Sequence, residues 1–294
     1  MKKYKIGIAI VTILLVASVI FNAYIVFFNG NSMVWTTYLQ NPNEIYAMES
    51  GILYNNLEFS EGKDITLTYD FTNSKYEELL SKYNVVDIAG NGSQFEKAKN
   101  LVNEFSARLK HKSNYDNHIE INALALLEYS LDNKSNGINC RNKAQILNEM
   151  CLALGIYSRK VWIMPYSIYD NDCHVVNEVW DTKLNKWVMF DITSNTYWVD
   201  ENAIPLSILE IREKIAKQQF CTPVKTKDDL KDLNKLLENN YDTFLYIAKN
   251  VVYTKYLDTY SVGEEGTRYA LISKNMDADN EYIISQNSIE SSPM

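Results

Sequence analysis

Cys173-His174-Val175-Val176-Asn177-Glu178-Val179-Trp180, the polar link Asp181-Thr182-Lys183-Leu184-Asn185, and Lys186-Trp187-Val188-Met189-Phe190-Asp191-Ile192 carry the strongest signal for fold class. Both arms read with the two-residue period of strands, and the link has the length of a hairpin connection. If Trp180 lies opposite Trp187, then Val176 lies opposite Asp191, because paired antiparallel positions keep a constant sum. His174 is then one diagonal step from Asp191 on the same face, and a two-residue shift would put them directly opposite. A one-residue slip would separate them and turn over every other side chain.

Upstream the period is helical. Phe95, Ala98, Leu101, Val102, Phe105 and Leu109 recur at three- and four-residue steps, and Ser93 can cap the start. A second, buried helix is expected from about Ile121 to Tyr129, followed by a polar turn at Asp132 to Asn136. Gly137-Ile138-Asn139-Cys140 opens a third helix, with Ala144, Leu147, Cys151 and Leu154 on one face and Gly155 as a left-handed terminator. Ser158 to Met164 reads as a further strand. Helices first and antiparallel strands after them define an α+β class.

Three residues in this arrangement fit acyl transfer, which needs a thiolate, an imidazole and a group that fixes the imidazole's tautomer. Cys140 falls at a helix amino terminus, where free N–H groups stabilise a thiolate and can help hold an oxyanion. His174 supplies a base and Asp191 an orienting carboxylate. Taken singly, each has a structural explanation: a core thiol, a satisfied strand histidine, a strand-end cap. The combination is more specific than its members.

The motifs around these residues resemble the core of the transglutaminase-like superfamily. The resemblance rests on Gly137–Cys140, Leu152–Arg159, His174–Val179 and Trp187–Thr193, and covers about residues 95 to 215. It implies a papain-like fold, a helix carrying the thiol packed on an antiparallel sheet. By motif it assigns Cys140 as nucleophile, His174 as general base and Asp191 as third member. It implies attack on an amide carbonyl of a protein or peptide, a thioester, and resolution by an amine or by water. The segment from Asn195 to Ile215 resembles the continuation in bacterial membrane-linked or secreted members. Val176 stands where the family often has an aromatic residue. No oxyanion side chain is identifiable, Asn133 and Asn136 being weak candidates. Glu178 shares the face of His174 and reads equally as a support for it or as surface charge.

The remaining thiols and imidazoles carry less. Cys173 is expected on the face opposite His174, Cys151 in the core, and a Cys151–Cys221 disulfide is one option outside the cell. There is no C-x-x-C or H-E-x-x-H, and His111 and His118 lie in a polar stretch expected to face solvent, so neither a metal nor another cofactor is expected. After Cys221, Leu230, Leu233, Leu236 and Leu237 mark an amphipathic helix. Strand-like runs follow at Val251–Tyr253, Tyr269–Ser273 and Tyr282–Ser285, and Gln286 to Met294 reads as a disordered tail.

The amino terminus bears on location. Lys2, Lys3 and Lys5 precede an uncharged, mostly apolar run from Ile6 to Phe28, and the first acidic residue is Glu44. Such a run at about 1.5 Å per helical residue covers a hydrocarbon core of about 30 Å. The charge asymmetry puts the amino terminus inside and the body on the extracytoplasmic side of the cell membrane. A signal peptide cleaved near Val16-Ala17-Ser18 would leave Val19 to Phe28 as an apolar front, so an uncleaved single-pass anchor is the better reading. The body divides into an extension over 29–92, in which Ile65–Tyr69 alternates as a strand, a core over 93–221, and an accessory region over 222–294. A chain of 294 residues with net charge −8 and no Lys/Arg cluster in its body argues against nucleic acid as a partner. The expectation is an anchored extracytoplasmic cysteine enzyme acting on protein or peptide amides. The alternative is a non-catalytic module on the same fold that binds peptides or cell-envelope components. Oligomeric state is not encoded in any motif.

Overall fold

The computed structural model describes residues 2–24, 41–167, 169–170, 172–277 and 281–293, without the side chains of 2–6 and 8–10. Two compact units result, Met1–Ala47 and Met48–Met294. In the first, α1 (Lys2–Tyr24) is helical throughout. The expected anchor, Ile6 to Phe28, falls on α1 and on residues outside the description. Among the described residues no helix is long and apolar enough to cross a membrane, so the fold lends the anchor no support.

The helix α2 (Pro42–Asn55) leads into the second unit. There follow β1 (Thr68–Tyr69), α3 (Lys75–Lys82) and α4 (Val85–Ala89). The extension is therefore largely helical, and the strand expected over Ile65–Tyr69 shrinks to its last two residues. Local pattern misled because these helices are short and bury few residues: α3 buries only Tyr76 and Leu79.

Next come three helices of the core, α5 (Gln94–Arg108), α6 (Ala123–Asp132) and α7 (Cys140–Ala153). Ser93 and Glu96 form a reciprocal capping box on α5, which buries Ala98, Leu101, Val102 and Phe105 as the periodicity required. Asn122 caps α6, starting it just after the expected Ile121. Asn139 caps α7 by accepting from the Asn142 N–H. At the far end Gly155 has φ +71°, and the N–H groups of Gly155 and Ile156 donate to Leu152 and Cys151. That pair of bonds is a Schellman termination.

Five strands follow as a meander: β2 (Ser158–Met164), β3 (His174–Asp181), β4 (Lys186–Asp191), β5 (Thr196–Asp200) and, after α8 (Ile208–Ala216), β6 (Cys221–Lys225). They pair antiparallel in chain order, with Trp180 opposite Trp187. The register argued from the two tryptophans therefore holds.

The last third contributes α9 (Leu233–Asn239), α10 (Tyr241–Asn250), β7 (Tyr253–Leu257), β8 (Thr259–Tyr260), β9 (Arg268–Leu271), β10 (Tyr282–Ile283) and α11 (Gln286–Glu290). β7 adds antiparallel to β2, so that β10-β9-β7-β2-β3-β4-β5-β6 form one sheet, while β8 pairs parallel with β1. This region is thus built into the sheet. The disordered tail is a misreading: Ser285 caps α11, and Ile289 is fully buried. The Arg159 guanidinium also donates to the Ile289 carbonyl at 2.8 Å.

The helices α5 and α7 pack on one sheet face, with α3, α4 and α6 packed against them. Val175, Val179, Val188 and Phe190 join Leu101, Phe105, Leu126, Leu147 and Met150 in a single buried cluster. Asn177 reaches the same layer and donates to the Ala144 carbonyl of α7 at 2.9 Å. Alternation sends Glu178 the other way, where it accepts from the Ile208 N–H at the start of α8.

Glu49 of α2 is a buried carboxylate, only 5% exposed. Burial raises its pKa to about 7, with Lys249 opposing and Asp170 reinforcing the shift. Its folded value exceeds its unfolded one, so this contribution to stability is complete below about pH 4.5 and lost as pH rises through about 7. Glu49→Gln is expected to match the parent in urea melts near pH 4 and to exceed it at pH 8.

Candidate active site

Cys140 is the first residue of α7, where the leading N–H groups have no acceptor inside the helix. Its side chain is half-buried. β3 begins at His174, and β4 ends at Asp191. Because both strand ends lie at one edge of the hairpin, the imidazole Nε2 meets Asp191 Oδ2 at 2.9 Å. The other carboxylate oxygen accepts from the N–H groups of Thr193 at 2.8 Å and Ser194 at 3.2 Å. Cys140 and His174 line one cleft, close enough for the imidazole to act on the thiol. The three residues singled out in the sequence are thus brought together in order.

Their charges are coupled. Burial by itself would raise the Cys140 pKa; the hydrogen bond and positive charge of His174, with the Val175 N–H, outweigh it and hold the thiol below its ordinary value. Burial would lower His174, yet the charge and hydrogen bond of Asp191, together with Cys140, lift it well above the usual histidine range. Asp191 is drawn down to about 2, because His174 and the Ser194 donors overcome the effect of burial. All three shifts favour a thiolate–imidazolium pair over a neutral one.

Other side chains separate into those that meet this centre and those that do not. Asn133 Oδ1 accepts from Ser135, and Asn136 donates to the Tyr129 carbonyl, so neither suits the oxyanion. Glu178 is buried against Arg159, which corrects both the surface-charge reading and the idea that it supports His174. Val176 is buried, and the ring that meets His174 belongs to Tyr246 of α10, edge-on at 5.5 Å. The Tyr246 hydroxyl donates to Asp172 at 3.1 Å, which fixes the ring.

Cys140 and His174 open into a cleft of about 550 Å³. Two residues set aside in the sequence line it. Cys173 lies just before β3 rather than within it, so strand alternation does not bind it to the opposite face. His111 is exposed but sits at the cleft wall, and burial, followed by the charges of Lys143 and His174, lowers its pKa. His118 faces solvent beside Asp116. All four cysteines are free thiols, so Cys151 and Cys221 do not pair. Burial pushes each of those two up to about 12 and raises Cys173 as well, leaving Cys140 as the thiol with a lowered pKa. Tyr246, Arg141, Lys255 and Arg268, which also line the cleft, had no sequence signal: all but Arg141 come from the accessory region, and none sits in a motif.

Residues 84–192, from α4 through β4, match the transglutaminase-like superfamily. Over those residues the α+β core, with its thiol-bearing helix on an antiparallel sheet, is similar to the core of that superfamily of cysteine enzymes. No curated protein matches the chain. Among solved structures, the chain is similar to a proposed cysteine protease from Cytophaga hutchinsonii at 16% identity and a TM-score of 0.33. That likeness covers 53% of this chain and 52% of the other, so it spans about half of each.

Proposed function

We propose that this protein acts on amide bonds of proteins or peptides, with Cys140 as nucleophile, His174 as acid and base, and Asp191 as the group that orients and charges the imidazole. The observation that carries the reading is the buried His174–Asp191 bond at 2.9 Å beside a thiol at a helix amino terminus. The thiolate attacks the carbonyl carbon, and the Cys140 N–H at the head of α7 can donate to the oxyanion. His174 gives its proton to the departing amine, which leaves a thioester. Water or a second amine, deprotonated by His174, then attacks the thioester and releases the thiolate. Water gives proteolysis or deamidation, and an amine gives a cross-link.

The test is mass spectrometry of the protein incubated with candidate substrates and a primary-amine probe. Amine incorporation, a gain of about one dalton, or backbone cleavage, each lost in Cys140→Ala, supports the reading and names the reaction. No product, together with a Cys140 no more reactive than a free thiol, overturns it.

We further propose that the body is held on the extracytoplasmic face of the cell membrane by the amino-terminal segment. The support is the uncharged run Ile6 to Phe28 behind Lys2, Lys3 and Lys5. Retention in the membrane after alkaline carbonate washing, with digestion by protease added outside the cell, is the expected result. Release by the wash overturns it.

A further inference from the structure

One wall of the cleft is basic, against the acidic balance of the whole chain, 29 Lys+Arg to 37 Asp+Glu. Arg141, the residue after the nucleophile, donates Nε and Nη2 to Glu264, each at 2.7 Å. Lys160, with no exposed surface, donates to the same carboxylate at 2.6 Å, and Arg268 donates to it at 2.9 Å. One carboxylate, 7% exposed, therefore serves three cations. The buried Glu149 also acts on Lys160, which leaves Arg141 and Arg268 to share Glu264. Lys255 is matched by Glu281, and Asp172 is held by Lys249 and Tyr246.

Lys160 is served by Glu149 and Gln145 as well, so a structural role for Glu264 leaves one of the two guanidinium groups without a matching charge. Unmatched charge in a partly desolvated site is costly, and an anion entering the cleft offsets that cost. The wall is also shaped for one. The Arg268 guanidinium lies 4.3 Å over the Trp162 ring, which holds a planar, fork-shaped donor in place, and its side chain is 43% exposed. Arg141 is 33% exposed and adjoins Cys140 in the chain. Both line the cleft that holds the thiol. A guanidinium stacked on an indole suits a carboxylate better than a diffuse charge.

We propose that Arg268 and Arg141 form a carboxylate subsite beside Cys140, so that the preferred acyl donor carries a carboxylate close to the amide it presents. The proposal rests on Cys140 being the nucleophile. The carboxylate can belong to an acidic side chain or to a free chain end.

Matched maleimides test it on the whole protein. N-Ethylmaleimide reports the thiolate alone, and 3-maleimidopropionate adds a carboxylate to the same electrophile. The ratio of the charged to the neutral rate is expected to exceed that of a free thiol and to fall about fivefold in Arg268→Gln, the scale of one partly screened charged contact. It is expected to recover in part in Arg268→Lys, to weaken with salt, and to stay unchanged in Lys217→Gln, an exposed control paired with Glu213. Arg141→Gln should lower the ratio again, and if that variant fails to fold, the Arg268 pair decides alone. Protection of Cys140 from N-ethylmaleimide by a capped peptide containing Glu, or by a peptide without acidic side chains but with a free carboxylate, identifies the source. A ratio indifferent to Arg268 with a reactive Cys140, or protection by neither peptide, overturns the subsite alone. A Cys140 no faster than a free thiol toward N-ethylmaleimide overturns the subsite and the nucleophile together.

Discussion

Alkylation of Cys140 near neutral pH is expected to be faster in the parent protein than in His174→Ala, and to rise less steeply with pH. The reason is the direction of the coupled shifts: the thiol ionises below its ordinary value and the imidazole keeps its proton well above its own. Both shifts enlarge the share of the reactive pair near neutral pH, so the parent rate depends less on pH. Without the imidazole, Cys140 keeps only the helix terminus and the Val175 N–H against the effect of burial, and its pKa moves up. Turnover of an amide should fall by a factor of about 10² to 10⁴ in the same variant, the usual contribution of one positioned acid–base group. Cys140→Ala should abolish it. The measurement is a stopped-flow or mass-spectrometric rate at several pH values. Cys151 and Cys221 will not confuse it, since burial keeps their thiols protonated there. A parent rate no faster near neutral pH than that of His174→Ala would refute the ion pair.

The largest loss of stability is expected at Glu178, not in the apolar core. Arg159 and Glu178 are 2% and 1% exposed and bonded at 2.6 Å. Around them Trp187 lies 3.9 Å and Tyr256 5.0 Å from the guanidinium, and Ile289 supplies a carbonyl. Glu178→Ala leaves a charge that cannot reach water and strips the Ile208 N–H of its acceptor. The cost should be about 3–5 kcal/mol, which lowers the melting temperature by about 6–20 °C for a domain of this size. Arg159→Met combined with Glu178→Met should recover most of it, because a buried pair contributes little net against well-packed apolar side chains. A thermal melt of the three variants decides the matter. Equal losses in the single and double variants would mean that packing, not charge, holds this layer.

Much of the site is legible in the sequence, and the hairpin shows why. Two tryptophans and a short polar link set the register, and the register alone placed His174 and Asp191 together. Gly155 and Asn139 act within a few residues of themselves, so the ends of α7 were legible too, as was Cys140 at its head. What failed is contact between distant parts of the chain. Glu178 looked ambiguous because its partner Arg159 lies on the neighbouring strand and its cover, Ile208 and Ile289, comes much later. Gln286 to Glu290 looked like a loose tail because one buried isoleucine carries no periodicity. Lys255 and Arg268 reach the cleft because β7 and β9 extend the sheet, and Tyr246 because α10 packs on β2, which no local pattern announces.

That extension bears on how far the enzyme core can be treated as a transferable part. The match to the superfamily stops at residue 192, yet β2 inside it is bonded to β7, with Trp162, Ile163 and Met164 opposite Lys255, Thr254 and Tyr253. β4 in turn is bonded to β5 beyond the match, with Phe190 opposite Tyr197. Excising residues 84–192 would bare both margins of the three remaining strands and invite edge-to-edge aggregation. Grafting that segment into another scaffold would carry over the thiol, the imidazole and the carboxylate, but leave behind Tyr246 and Arg268. The portable unit is Met48–Met294, and recombination within it should give insoluble protein rather than a new specificity.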